Sequence, residues 1–190
     1  MSSEIEIEFK NIVTESEFEQ IKSTFSVKDQ DFHSQDNYYF DTPSFLLREK
    51  NCALRIRHKK DVYELTLKQP ADVGLLETNE IITQSEFNEM ISIGKLPNNE
   101  VRTKLEGMNI PFDDLTYFGC LTTKRAEKKV LNGLLVFDIS SYLNVTDYEI
   151  EYEVTDYHQG KKNFQLLMNQ LNIPIRKTDN KIVRFYKALF

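Results

Sequence analysis

Residues 4–10 alternate strictly between charged and apolar side chains, Glu4-Ile5-Glu6-Ile7-Glu8-Phe9-Lys10. A period of two is the spacing of a β-strand, whose successive side chains point to opposite faces. Ile5, Ile7 and Phe9 share one face, and Glu4, Glu6, Glu8 and Lys10 share the other. Three carboxylates two residues apart repel one another unless cations sit among them. Taken alone, the segment reads most simply as a wet edge strand whose charges discourage aggregation. The same pattern recurs along the chain, and that recurrence constrains the fold.

Strands with ionisable residues in register follow. Gln35 to Phe40 runs into the turn Asp41-Thr42-Pro43. Ala53 to Arg57 and Tyr63 to Lys68 flank a turn at Lys60-Asp61 and predict a hairpin. In it Arg55 and Arg57 oppose Leu54 and Ile56, while Thr66 and Lys68 oppose Leu65 and Leu67. Leu75 to Thr83 carries Glu77 and Glu80. Gly119 to Lys128 places Thr123, Arg125 and Glu127 on one face, and the Asn132-Gly133 turn leads to Leu134 through Asp138. Tyr148 to Val154 repeats the opening pattern, with Glu149, Glu151 and Glu153 on one face.

Helices separate these strands. Thr14 with Glu17, and Thr83 with Glu86, have the spacing of capping boxes. Val101, Leu105 and Met108 mark a short helix limited by Gly107 and Pro111. Phe164, Leu167, Met168 and Leu171 form an apolar stripe ending at Pro174, and Ile182, Phe185, Tyr186 and Leu189 form a last one with Thr178 as its expected cap.

A chain of 190 residues fits one domain, 1–190, and 40% apolar residues with 13 Phe and 9 Tyr describe a folded protein. No apolar run approaches the roughly 18 residues of a membrane span, and the N-terminus lacks a signal-peptide pattern, so a cytoplasmic location is expected. The net charge of −6 argues against nucleic-acid or membrane-surface binding. Cys52 and Cys120 are too few for a disulfide framework or a cysteine zinc site and read as buried free thiols.

About eight strands and a few helices can close into a barrel or curl into a sandwich. Helices with apolar stripes need the apolar strand faces, which leaves the charged faces toward water or toward a lumen. A lumen lined by Glu4, Glu6, Glu8, Asp138, Glu149, Glu151 and Glu153 together with Lys10, Arg55, Arg57, Lys68 and Arg125 is too charged to be a packed core. Clustered Arg and Lys suit phosphate oxygens. Clustered carboxylates suit Mg2+ or Mn2+. Both together describe a metal-bound polyphosphate.

These residues resemble the CYTH superfamily of triphosphate tunnel metalloenzymes, which includes class IV adenylate cyclases and thiamine triphosphatases. Its E-x-E-x-K motif stands as Glu6-Ile7-Glu8-Phe9-Lys10. Further matches follow in family order: Tyr39-Phe40-Asp41-Thr42, Leu54 to Arg57, Leu65 to Lys68, Thr123-Lys124-Arg125, Asp138 and Glu149-Ile150-Glu151, with Lys181 and Arg184 as a C-terminal basic helix. The chain is most similar to the small stand-alone bacterial members of Firmicutes type.

The resemblance implies an α+β fold, an eight-stranded antiparallel closed barrel with helices packed outside. It implies that Glu6, Glu8, Asp138, Glu149 and Glu151, with Glu77 or alternatively Glu80, would hold Mg2+ or Mn2+. Lys10, Arg55, Arg57, Lys68, Arg125, Lys181 and Arg184 would grip a triphosphate, and Glu4 and Glu153 fall outside the motif as rim residues. The expected reaction is metal-assisted hydrolysis of a phosphoanhydride, with Lys10, Arg57, Glu149 and Glu151 in the catalytic roles. Some members of the family form homodimers.

Competing chemistries have little support. His33, His58 and His158 share no motif spacing, and Gly74 stands in no phosphate-loop pattern. Tyr39 and Tyr63 read as packing residues. A cyclase would need a base-reading site and a thiamine triphosphatase an aromatic clamp, for which Phe32, Tyr38, Tyr142 and Tyr157 are the candidates. The same motif residues also suit a non-hydrolysing sensor of polyphosphate or nucleotide.

Overall fold

The computed structural model describes residues 2–190. In chain order the elements are β1 (Ser2–Val13), α1 (Glu15–Thr24), β2 (His33–Asp41), α2 (Leu46–Glu49), β3 (Ala53–Lys59), β4 (Val62–Pro70), β5 (Leu75–Ile82), α3 (Gln84–Ile93), α4 (Glu100–Gly107), β6 (Thr116–Val130), β7 (Gly133–Tyr142), β8 (Val145–Val154), α5 (Tyr157–Gln170) and α6 (Lys181–Leu189). The strands close into a barrel in the order β1-β5-β4-β3-β2-β6-β7-β8. This is the antiparallel closed barrel with outer helices that the resemblance implies, and not the sandwich that the alternation alone left open. Within the chain, contacts concentrate in two compact units, one built on Gln35–Cys120 and one on Glu6–Ser34 with Leu121–Phe190.

In the first unit, Leu54, Ile56, Leu65 and Leu67 of the β3–β4 hairpin are buried with Leu47 of α2, Met90 of α3, and Val101 and Leu105 of α4. The helices therefore cover the apolar strand face, and the alternation puts the ionisable residues on the other. The hairpin turns at Lys60 and Asp61, both with positive φ, the conformation that a two-residue hairpin turn demands. Thr83 and Glu86 form the expected capping box at the start of α3.

The second unit repeats this division. Leu135, Phe137, Ile150 and Tyr152 of β7 and β8 are buried with Phe18 and Ile21 of α1 and Phe164, Leu167 and Met168 of α5. Thr14 and Glu17 form the capping box of α1, and Glu17 also holds Arg176 through two 2.8 Å bonds. That pair pins the segment before α6 to the start of α1.

Two local expectations are corrected. Thr178 does not cap α6: the N-cap is Asn180, and the Thr178 hydroxyl accepts the Ile12 N–H at 2.8 Å. The β6–β7 turn is centred on Leu131-Asn132, with Leu131 at φ +51°, and Gly133 opens β7 opposite Val130. Glycine is needed there for space. A Cβ at 133 would lie 2.6 Å from the Tyr152 ring and 2.7 Å from the Glu153 carbonyl oxygen. The free thiols also differ in setting, Cys52 being buried and Cys120 half-buried.

Gly133→Ala is therefore expected to destabilise the protein by about 1–3 kcal/mol through overpacking against Tyr152. Thermal or urea unfolding reads this, and an unchanged midpoint would contradict the packing described.

Candidate active site

In the first unit the charged face is ordered by strand register. Asn37, Arg57 and Glu64 are cross-strand neighbours, as are Tyr39, Arg55, Thr66 and Asn79, and Lys68 pairs with Glu77. Arg57 Nε donates to Asn37 Oδ1 at 3.4 Å and lies 4.0 Å from Glu64. Lys68 and Glu77 form an ion pair. Register puts Glu77 and Glu80 on different faces: Glu80 pairs with Leu65 and so shares the apolar, helix-covered side, whereas Glu77 faces Lys68. Thr66 Oγ1 and Asn79 Oδ1 are buried beside Arg55 without a hydrogen-bond partner among the described residues. Buried polar atoms of this kind call for a partner such as a water or an ion.

The second unit holds the denser cluster. Asp138 of β7 and Glu149 of β8 are direct cross-strand neighbours, 0% and 1% exposed, and Glu151 follows on the same face at 4%. Like charges so placed repel strongly in a buried setting. Cations from β6 and α6 offset this. Arg125 Nε donates to Asp138 Oδ1 at 2.7 Å, while its Nη2 lies 2.5 Å from Asp138 Oδ2 and 2.7 Å from Glu151 Oε2. Lys181 Nζ lies 2.5 Å from Glu151 Oε1, 2.8 Å from Asp138 Oδ2 and 3.1 Å from Glu149 Oε2. Arg184 reaches Glu149 Oε2 at 2.5 Å and Asp147 Oδ2 at 2.8 Å.

β1 supplies the E-x-E-x-K motif on the same kind of face. Lys10 stands opposite Glu151 in the β1–β8 ladder, and Glu8 stands opposite Glu153. Lys10 Nζ donates to Glu8 Oε1 and to Asn180 Oδ1, each at 2.5 Å. Glu6 is half-buried two residues before Glu8, whereas Glu4 is exposed.

The electrostatics follow from burial opposed by pairing. Burial pushes the Lys181 and Arg125 pKa values down, but the surrounding carboxylates, Asp138 and Glu151 foremost, raise both well above their ordinary values. Burial pushes the Glu151 carboxyl up, yet Lys181, Arg125 and Lys10 hold it well below the usual carboxylate range. Glu153 goes the other way. Burial, with Glu151, Glu6 and Glu8 adding, lifts it to about 7 against the pull of Arg125, 3.7 Å away. It is thus part of the charged cluster and not the solvated rim residue expected from its place outside the motif.

Sequence reasoning missed Asp147, Asn180 and Asn37. Asp147 extends the Glu149-Glu151-Glu153 alternation by one step and accepts from Tyr142 Oη at 2.6 Å as well as from Arg184. That signal was readable. Asn180 and Asn37 carry none, because ordinary polar residues become partners of Lys10 and Arg57 only through the fold. The four proposed clamp aromatics are committed elsewhere: Phe32 packs on Phe18, Tyr38 on Phe87 and Tyr157 on Phe9, while Tyr142 bonds Asp147. His58 stacks on Tyr63 at 4.4 Å.

The donors fit a hard divalent cation, since they are carboxylate oxygens throughout. Glu149 Oε1 is moreover buried with no hydrogen-bond partner among the described residues. As they stand, no three acidic, His or Cys side chains among the described residues are gathered to coordinate an ion. Lysine and arginine occupy the acids instead.

In metal-free buffer, the Glu153 pKa near 7 is raised above the roughly 4.3 of an unfolded glutamate. Its contribution to stability is then full below about pH 4 and is lost as the pH rises through 7. Glu153→Gln is expected to exceed wild type in stability at pH 8, on the order of 1 kcal/mol after allowance for screening of a side chain 30% exposed, with the gap closing toward pH 5. Urea unfolding at both pH values checks this, and a gap independent of pH would contradict it.

Comparison with known proteins agrees with this geometry. The CYTH domain family matches residues 4–186. YjbK of Bacillus subtilis (strain 168), provisionally named a triphosphatase, is 50% identical over 187 residues, covering 98% of this chain and 97% of its own length. A crystal structure from Bacillus halodurans, provisionally described as an adenylate cyclase, aligns with a TM-score of 0.94 at 39% identity over 98% of this chain and 100% of that one. HpAC1 from Hippeastrum, a provisional adenylyl cyclase described as having a dominant triphosphatase activity, shares the fold with a TM-score of 0.80 at 23% identity, covering 97% and 96% of the two chains. The family match spans almost the whole chain, and the chain belongs to the CYTH family, whose triphosphate chemistry implies a divalent metal.

Proposed function

We propose that this protein is a metal-dependent triphosphatase that hydrolyses a phosphoanhydride of inorganic triphosphate or of a related organic or nucleoside triphosphate. The observation that carries the reading is the pair of buried cross-strand acids Asp138 and Glu149 with Glu151 beside them, set among Arg125, Lys181 and Arg184. The 50% identity to a relative named as a triphosphatase supports it over the whole length.

Each group has a role that its surroundings support. Glu6, Glu8, Asp138, Glu149 and Glu151 would hold Mg2+ or Mn2+. Such an ion, when bound, neutralises phosphate charge and makes water a better nucleophile. Arg55, Arg57 and Lys68 of the first unit, and Lys10, Arg125, Lys181 and Arg184 of the second, are the cations proposed for phosphate oxygens. They stabilise the negative charge that gathers on the leaving oxygen as the bridging P–O bond breaks. Glu149 is the better candidate for orienting the attacking water. Its Oε1 has no hydrogen-bond partner among the described residues, whereas Lys181 and Arg125 take both oxygens of Glu151. The water oxygen forms the new P–O bond, and its proton passes to a carboxylate or to the released phosphate.

A second reading, adenylate cyclase, is favoured by the name of the 39% identical Bacillus halodurans protein. It needs a base-binding surface, and the four aromatic residues considered for that purpose are engaged in packing or in a bond to Asp147.

The purified protein is expected to release orthophosphate from inorganic triphosphate with Mg2+ or Mn2+ and to stop on chelation. Arg57→Ala and Glu149→Gln should each lower kcat/KM by about 10²–10³-fold, the size associated with losing a preorganised electrostatic contact. Cyclic AMP and pyrophosphate from ATP would establish the cyclase reading instead. No turnover of inorganic triphosphate, ATP or thiamine triphosphate would leave a binding module.

A further inference from the structure

The Lys181 ammonium occupies an unusual position. It contacts three carboxylates at once, from two strands, at 2.5, 2.8 and 3.1 Å. Two of those acids are cross-strand neighbours, and all three are almost wholly buried. This is how carboxylates surround a cation. An ammonium contacts oxygen at about 2.8 Å, and Mg2+ at about 2.0–2.1 Å. The carboxylate oxygens around Lys181 thus lie at the distances of an ammonium and not at those of a bound Mg2+.

We propose that the Lys181 ammonium is the resident counter-ion of Asp138, Glu149 and Glu151, so that a divalent metal binds these acids only by displacing it. This rests on the triphosphatase reading for the identity of the acids as metal ligands. Two consequences follow. Metal added alone binds weakly, because the α6 cation must leave the carboxylates for no new partner. Metal added with triphosphate binds more tightly, because the displaced ammonium finds phosphate oxygens. Lys181 thus couples the two ligands, and the free enzyme is guarded against loading a metal without substrate. Arg184 is differently placed: it is held by Asp147 and by the Asp179 carbonyl as well as by Glu149. Those extra bonds keep it in place when Lys181 moves.

The test is a calorimetric titration with Mn2+ alone, comparing wild type, Lys181→Gln, Lys181→Arg and Lys187→Gln. Lys187 lies on the same helix but pairs with Asp179 at the surface, so it controls for the loss of one positive charge. Expected is a Mn2+ affinity at least tenfold tighter in Lys181→Gln, with Lys181→Arg and Lys187→Gln close to wild type. Equal or weaker Mn2+ binding by Lys181→Gln, or the same gain in Lys187→Gln, would overturn the proposal. Without its counter-ion Lys181→Gln is expected to melt lower than wild type and to be rescued by Mn2+ more than wild type is. Should it not fold in metal-free buffer, circular dichroism in Mn2+ reads the same point, and failure to recover the fold there counts against the proposal. The readout does not involve turnover. A wild type that hydrolyses no triphosphate would refute the functional reading while leaving the Mn2+ affinities to decide this one.

Discussion

Everything distinctive about this protein depends on how three buried carboxylates are kept charged. Asp138, Glu149 and Glu151 lie on adjacent strands with almost no exposure to water. Unpaired, one such charge costs several kcal/mol to bury, and neighbouring like charges add to that cost. Arg125 and Lys181 compensate from two directions, β6 and α6, and Arg184 completes the shell around Glu149. The arrangement is a poor route to stability, since apolar residues of the same size would pack more favourably. It is a good route to a site, because carboxylates gathered around side-chain cations present the oxygen donors that a hard cation takes.

The fold allows this by giving the helices one face of its strands. On β3 and β4, and again on β7 and β8, one face goes to the helices and becomes core. The other carries most of the charge, with a few apolar residues such as Val136 opposite Glu151 among the acids. α6 departs from this rule. Its buried Phe185 and Tyr186 pack into the protein, while Lys181 and Arg184 enter the polar cluster. One short helix is thus both a packing element and the source of two cations.

Much of this was legible in the sequence, for a physical reason. Strand alternation is local, so the assignment of Glu149 and Glu151 to one face and Ile150 and Tyr152 to the other follows from spacing alone, as do the capping boxes at Thr14 and Thr83. The family motif then put the separate charged faces in order. Contacts that depend on register or on chain segments far apart were not legible. Glu77 and Glu80 differ only in which side of β5 meets Lys68, and spacing within one strand leaves that open. Asn180 reads as an ordinary helix-start residue, yet its side chain accepts from Lys10, 170 residues away. Thr178 fails as a cap because the Ile12 backbone N–H competes for its hydroxyl and wins. Gly133 looked like turn chemistry and is instead room for a ring.

The most direct test of the account is a crystal structure with Mn2+ and inorganic triphosphate bound, using manganese anomalous scattering to locate the ion. The account predicts manganese on Glu149 and Glu151, with the Lys181 ammonium moved from the carboxylates onto a phosphate oxygen. Manganese and triphosphate bound elsewhere on the protein, with Lys181 still seated among Asp138, Glu149 and Glu151, would contradict it.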